Sequence, residues 1–408
     1  MKNNQIENLL ARPAILHGYQ ISVKQLESIL TGHYENSSRS HIYSQKKQTL
    51  IAGGRLCVML VQRLLYFNGK CAVRYAHRLG KKILSRRLLS DVSSATCVAT
   101  LVGHSDSILS LVFHPMKPLL ATASIDKTVK LWLLSSDHSS ANCVATLTGH
   151  SSSVLSVVFH PTLPLIATGS GDNTIKIWLL SPDNMSSICV ANLVGHSSGV
   201  LSVVFHPTAP LIATSSYDYT IKLWLLLSDY SSVTCITTLT GHTDWVRSLA
   251  FHPNAPLLAS GSRDKTVKLW LLSSDHSSAT CIQTLNKHGF WVNAVAFHPT
   301  APLLAVCDWD TTVKIWLLSS NYLSASCVAT LTGHNSSVKS VIFHPTAPIL
   351  ATSSCDTVKL WFFSPDDLTA TCVVNLAGHS SNITSAAFHP TAPLVATSSY
   401  DRTVKLWR

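Results

Sequence analysis

Seven histidines stand at 104, 150, 196, 242, 288, 334 and 379, and each is followed 22 residues later by an aspartate. His and Asp at fixed spacing are the raw material of metal centres and of general acid–base catalysis. A second histidine series, each residue following a Phe, occupies 114, 160, 206, 252, 298, 344 and 389. A ring of such imidazoles has the chemistry for pH sensing or metal binding. A third series is cysteine, at 97, 143, 189, 235, 281, 327 and 372. Catalysis and metal binding need groups that converge on one point. These residues instead come one set at a time, 46 residues apart with a single interval of 45. The His–Asp sets therefore read as structural, and the His after Phe as a turn residue copied with its repeat. The cysteines have no CxxC spacing and read as small buried apolar residues in a reducing compartment. Cys57 and Cys71 belong to no series.

The elements carrying these residues are short and β-rich. In HSSSVLSVVFHPTLPLIATGSGDNTIKIWLL, from residue 150, runs of Val, Ile, Leu and Thr alternate with turns such as His-Pro-Thr and Gly-Asp-Asn. A fourth run, CVATL or a variant, follows a Ser-rich loop. Four short strands per unit cannot bury both faces of their sheet alone, so neighbouring units must stack.

The order Gly-His, apolar strand, L-A-T/S-x-S-x-Asp turn and V-K-L-Trp resembles the WD-repeat β-propeller family, in seven copies over 97–408. The resemblance implies an all-β, seven-bladed propeller. It departs from the family at the residue after each Trp, where Leu, Phe or Arg stands in place of Asp. It also implies a polar tetrad per blade, which in the first is His104, Thr122, Asp126 and Trp132. Such a set satisfies several buried polar groups at once. The last unit stops at Trp407-Arg408 after its third strand, and a spare strand, TCVATL at 96–101, precedes the first. That strand is expected to complete the last sheet and close the ring, removing open edges.

One copy breaks the pattern. LLAVCDWDTTVKIW at 303–316 has Val306 where the others have Thr or Ser, Asp308 where they have Ser, and Lys287 in place of the Gly before His288. Local rule-breaking marks either a functional site or drift tolerated by neighbouring repeats. By resemblance, three positions per blade face a partner: three and five residues after the Gly-His histidine, and just before the turn Asp. The first two are bland in blades one to three, such as Ser107 and Leu109. They become Trp245 and Arg247 in blade four, with Arg263 before the Asp, and Trp291 and Asn293 in blade five, with Trp309. Lys339 follows in blade six, and Tyr217 and Tyr400 flank the group. Seven of ten Trp close the blades, so the remaining three all fall in this cluster. Trp, Tyr and Arg dominate interface energies. Aromatic anchors beside cations suit an acidic or phosphorylated peptide, and a Trp pair alone would suit a cationic group.

The charge is split. Residues 1–95 hold 15 Lys and Arg against 4 Asp and Glu, while residues 96–408 hold 16 of each. The basic head, 1–95, is expected to be mainly helical, with a short helix over 21–30 and a longer one over 70–90. On the longer one Arg74, Arg78, Lys81 and Lys82 share a face. That face fits an acidic membrane or nucleic acid, or packs against protein. The start lacks a secretory apolar run, and 49–67 is broken by Arg55 and Arg63, which argues against a membrane span. The expected location is intracellular and cytoplasmic, with Lys81-Lys82 and Arg86-Arg87 pointing to the nucleus as a second address. No nucleophile–base pair outside the repeated sets, no phosphate loop and no metal spacing is visible, so an enzyme, a cofactor and a small-molecule substrate are not expected. The expected function is a protein–protein interaction scaffold that binds a partner peptide on blades four and five. Two alternatives are a nucleic-acid- or membrane-associated protein localised by its head, and a substrate receptor of a ubiquitin ligase. The Trp-Asp-x-Arg ending usual in such receptors is absent from every blade.

Overall fold

The computed structural model describes residues 95–408 apart from 184, 228, 229, 231, 287 and 365–367, together with two short strands nearer the start. The chain divides into two compact units, Met1–Leu84 and Ser85–Arg408. Of the first, Ala14–Leu16 pairs antiparallel with Tyr19–Ile21, Leu16 opposite Tyr19. This strand pair stands in the head that is expected to be mainly helical. The helices read at 21–30 and 70–90, with Arg74, Arg78, Lys81 and Lys82, otherwise lie outside the described residues. No helix among the described residues is long and apolar enough to cross a membrane.

The second unit contains seven four-stranded antiparallel sheets. Each runs in chain order from an inner strand outward, as in Ile108–Phe113, Leu119–Ser124, Val129–Leu134 and Ala141–Leu147. Inner strands of successive sheets adjoin, and Ile383–Phe388 returns to Ile108–Phe113, so the ring closes. The last sheet takes its outer strand from the start of the unit: Cys97 pairs with Trp407 and Val102 with Thr403. Thr96 and Arg408 exchange both backbone hydrogen bonds, at 2.9 and 3.0 Å. The clasp expected from the chain ends is present.

Burial follows the layering. The second strands, LLATAS and its copies, are buried almost throughout, because sheets cover both faces. The outer strands bury little more than their last Leu, such as Leu147. This corrects the reading of the cysteine series. Cys97, Cys143, Cys189, Cys235 and Cys281 are exposed, and Cys327 and Cys372 half-buried. Each cysteine sits opposite its blade's Trp at a bulge in the rim strand, as Cys143 opposite Trp132, where no further sheet covers it.

The histidines after Phe hold the ring together. Nδ1 of His160 accepts from the backbone N–H of Thr162 and Leu163, pinning the turn. Its ring lies 4.8 Å from Phe205 of the next blade, and the series ends with His389 against Phe113 at 5.1 Å. Burial lowers the pKa of all seven imidazoles.

Candidate functional site

The repeated tetrad forms fully in five blades. In blade one His104 Nδ1 is 2.7 Å from Asp126 Oδ2, and its Nε2 is 2.8 Å from the Thr122 hydroxyl. Trp132 Nε1 donates to that hydroxyl at 2.9 Å. One tautomer satisfies the whole chain: indole N–H to hydroxyl oxygen, hydroxyl O–H to Nε2, Nδ1–H to carboxylate. The carboxylate also accepts from Ser105 N, Thr128 N and Thr128 Oγ1. Burial lowers the His104 pKa against the pull of Asp126. For Asp126 burial acts upward, but the bonds from Thr128 and His104 prevail and hold it below its usual value. The same contacts recur around His150, His196, His242 and His379. Each set is saturated within its blade and presents nothing to a substrate.

Blade five is rebuilt. With Val306 in the hydroxyl position, His288 Nε2 and Trp316 Nε1 are buried without a hydrogen-bond partner. Asp308 stands where the others have Ser, and its carboxylate takes His288 Nδ1 at 2.8 Å. Its other oxygen takes Lys314 Nζ at 2.7 Å. Asp310, which the pattern would pair with His288, keeps the bonds from Thr312 N and Oγ1 that its counterparts also accept and lies 3.8 Å from Lys314 Nζ. The His288 ring has moved to 5.6 Å from Trp316, against 6.3 Å for His242 and Trp270. Blade six departs differently. His334 and Trp361 both meet Thr352, but the one-residue deletion removes the turn position that carries positive φ in the five intact blades, as at Lys127. Asp356 accepts from Ser354 Oγ instead, His334 Nδ1 is left unpaired, and burial, with Lys359 adding, lowers the His334 pKa to about 4. The tetrad expected in every blade is thus incomplete in two.

The variable positions meet beside these blades. In most blades the residue before the turn Asp donates its backbone N–H to the carbonyl of the residue three after the Gly-His histidine: Arg263 to Trp245 at 2.8 Å, Trp309 to Trp291 at 2.7 Å. This bond sets the two side chains side by side. The result is a continuous ladder across blades three to six. Tyr217 meets Trp245 edge-on at 4.6 Å. The Arg263 guanidinium lies 4.3 Å from the Trp245 ring and 4.0 Å from Trp291. Trp291 contacts Trp309 at 5.3 Å, and Lys339 Nζ sits 3.5 Å from the Trp309 ring. Each cation–π contact contributes on the order of 0.5–2 kcal/mol. Arg263 is also 3.7 Å from Asp244. Trp309 is 40% exposed.

The second variable position lies at a bulge in the inner strand, between Val246 and Ser248 for Arg247. The starts of the inner strands surround one mouth of the central channel. Arg247 is half-buried there; burial lowers its pKa, opposed by the nearby Tyr217 and Tyr400. Asn293 departs from the expected outward position. It is buried, and its Nδ2 donates to Val338 O of blade six at 2.7 Å. Thr384 does the same to Ile108 O at the ring closure. Asn293 is therefore an inter-blade strut. Its spacing is that of Arg247, and only the depth of its shorter side chain separates the two. At the other mouth an apolar cavity of about 550 Å³ is lined by Phe113, Phe159, Phe205 and their counterparts. Among the described residues no group of three or more His, Cys, Asp or Glu could hold a metal ion.

The WD domain, G-beta repeat family matches at 95–132, 141–178, 187–224, 233–270, 279–316, 325–361 and 370–408. Each of the seven repeats is offset from a blade by one strand, since 95–132 spans the outer strand of the last sheet and the first three strands of blade one. The chain belongs to this family of propellers, which typically serve as protein-interaction scaffolds. A comparison of the chain with curated proteins finds no match.

Proposed function

We propose that this chain is a non-enzymatic scaffold that holds a peptide segment of a partner protein on the face of blades four and five. The observation that carries the reading is the ladder from Tyr217 through Trp245, Arg263, Trp291 and Trp309 to Lys339. Six side chains converge there, five of them the Trp, Tyr or Arg types that anchor interfaces, although they come from four separate blades. The saturated tetrads supply no free base or nucleophile, which favours binding over catalysis.

The test is an affinity capture from native extract with the full chain and its Trp291→Ala/Trp309→Ala variant, once circular dichroism shows the variant folded. The scaffold reading expects a partner held by the parent and lost by the variant. Capture that is identical with both would refute the site.

A second reading rests on the basic head, whose 15 Lys and Arg against 4 acidic residues suit a nucleic-acid or membrane surface. Binding of that kind falls by orders of magnitude between about 50 and 200 mM salt. Binding led by the aromatic face does not.

A further inference from the structure

We infer that the channel mouth beside the ladder receives a phosphorylated side chain of the partner peptide, an inference that rests on the scaffold reading above. The inner-strand bulge positions divide the mouth into two arcs. Leu109, Leu155 and Leu201, from blades one to three, are half-buried and aliphatic. Arg247 and Lys339, from blades four and six, are half-buried and cationic. Arg247 and Lys339 both occupy inner-strand bulges, and Arg247 lies within electrostatic reach of Lys339 and of Arg263, so two cations line the mouth with a third beside it. Their compensation is poor. Asp244 pairs with Arg263, and Asp308 is fully buried and occupied by His288 and Lys314. Among the described residues no carboxylate stands within ion-pair distance of Arg247 or Lys339.

The ladder itself excludes the opposite ligand. A cationic group would need an open indole face, but Arg263 already lies between Trp245 and Trp291, and Lys339 lies on Trp309. The chain's own cations fill the places that an ammonium ligand would take. An anion meets no such competition and joins cations that otherwise repel one another. More than one uncompensated positive charge matches a dianion better than a single carboxylate, and a guanidinium suits phosphate through paired N–H donors. The Leu arc opposite fits an aliphatic residue next to the phosphorylated one.

The experiment measures fluorescence anisotropy with the full chain and three labelled peptide pools, degenerate except for a fixed leucine beside one fixed phosphoserine, serine or glutamate. The phosphoserine pool is expected to bind saturably, at least about tenfold tighter than the serine and glutamate pools, with inorganic phosphate competing. Arg247→Gln should remove that tenfold preference. Should this variant fail to fold, Lys339→Gln carries the same expectation. Equal binding of the phosphoserine and serine pools, lost only in Trp291→Ala/Trp309→Ala, overturns the phosphate site and leaves the scaffold standing. Glutamate binding as tight as phosphoserine, or a preference untouched in the folded cation variant, also overturns the phosphate site. No saturable binding of any pool overturns both.

Discussion

Lys314 Nζ lies 2.7 Å from Asp308 Oδ2, inside blade five. Its six counterparts point outward instead, to Thr146, Asn192, Thr238, Thr284, Asn375 and Thr100 on the rim strands. One substitution, Ser to Asp at 308, therefore turns a rim lysine into half of a buried ion pair. The pair compensates for a tetrad that Val306 has disabled.

Asp308→Ser alone should destabilise the protein by about 3–5 kcal/mol, because His288 and Lys314 lose a buried partner together. Asp308→Ser with Val306→Thr should recover most of that loss. The new hydroxyl takes Trp316 Nε1 and His288 Nε2, and Asp310 becomes free to accept from Nδ1. Denaturant midpoints of the two variants check this, and a double variant no better than the single one rejects the account.

Blades one and six should respond differently to the same change. Asp126→Asn weakens bonds to His104, Ser105 and Thr128 and should cost on the order of 1.5–3 kcal/mol. Asp356→Asn disturbs one hydrogen bond, from Ser354, and should cost less than about 1 kcal/mol. Chemical denaturation of both variants under one condition gives the comparison.

Acid should loosen the ring before the carboxylates titrate. Burial, with Lys117 adding, lowers the His114 pKa from 6.5 to about 4, so between these values the unfolded chain binds a proton that the folded one refuses. Its contribution to stability is complete above pH 6.5 and falls as pH drops toward 4. Protonation would also remove the Nδ1 acceptor used by Met116 and Lys117. Denaturation midpoints should decline as pH falls from 7 to 4, and His114→Asn, which can cap the turn without titrating there, should make the profile shallower, the other six imidazoles supplying the rest. An unchanged slope counts against His114.

Rim thiols should react in the native state. Iodoacetamide followed by mass spectrometry should label Cys97, Cys143, Cys189, Cys235 and Cys281 within minutes, because they are exposed. Cys307 is fully buried, and its burial pushes the thiol pKa up, so it should label only on unfolding. Native labelling of Cys307 would show that blade five opens.

Much of this was legible before folding. The 46-residue period, the Trp closing each unit and the spare strand at 96–101 all concern strand pairing, and pairing is written in local spacing. The cluster of Trp245, Trp291 and Trp309 also showed, because near-identical repeats expose every deviation. The cysteine series misled, since a period places a residue in its strand but does not say whether another sheet covers that strand. Asn293 misled similarly: it occupies the register of Arg247, and only the approach of Val338 from the next blade buries it.

The sequence by itself determined the repeat, the number of blades and the polar set that each blade carries. Strand and turn preferences act over a few residues, and seven copies repeat them. The tertiary structure decided which polar groups found partners. Whether His288 met Asp308 or Asp310, and whether Arg263 reached one indole or two, depends on ångström-scale approach between residues of different strands and blades. Hydrogen bonds and cation–π contacts weaken within an ångström or two of misplacement, so spacing along the chain does not encode them.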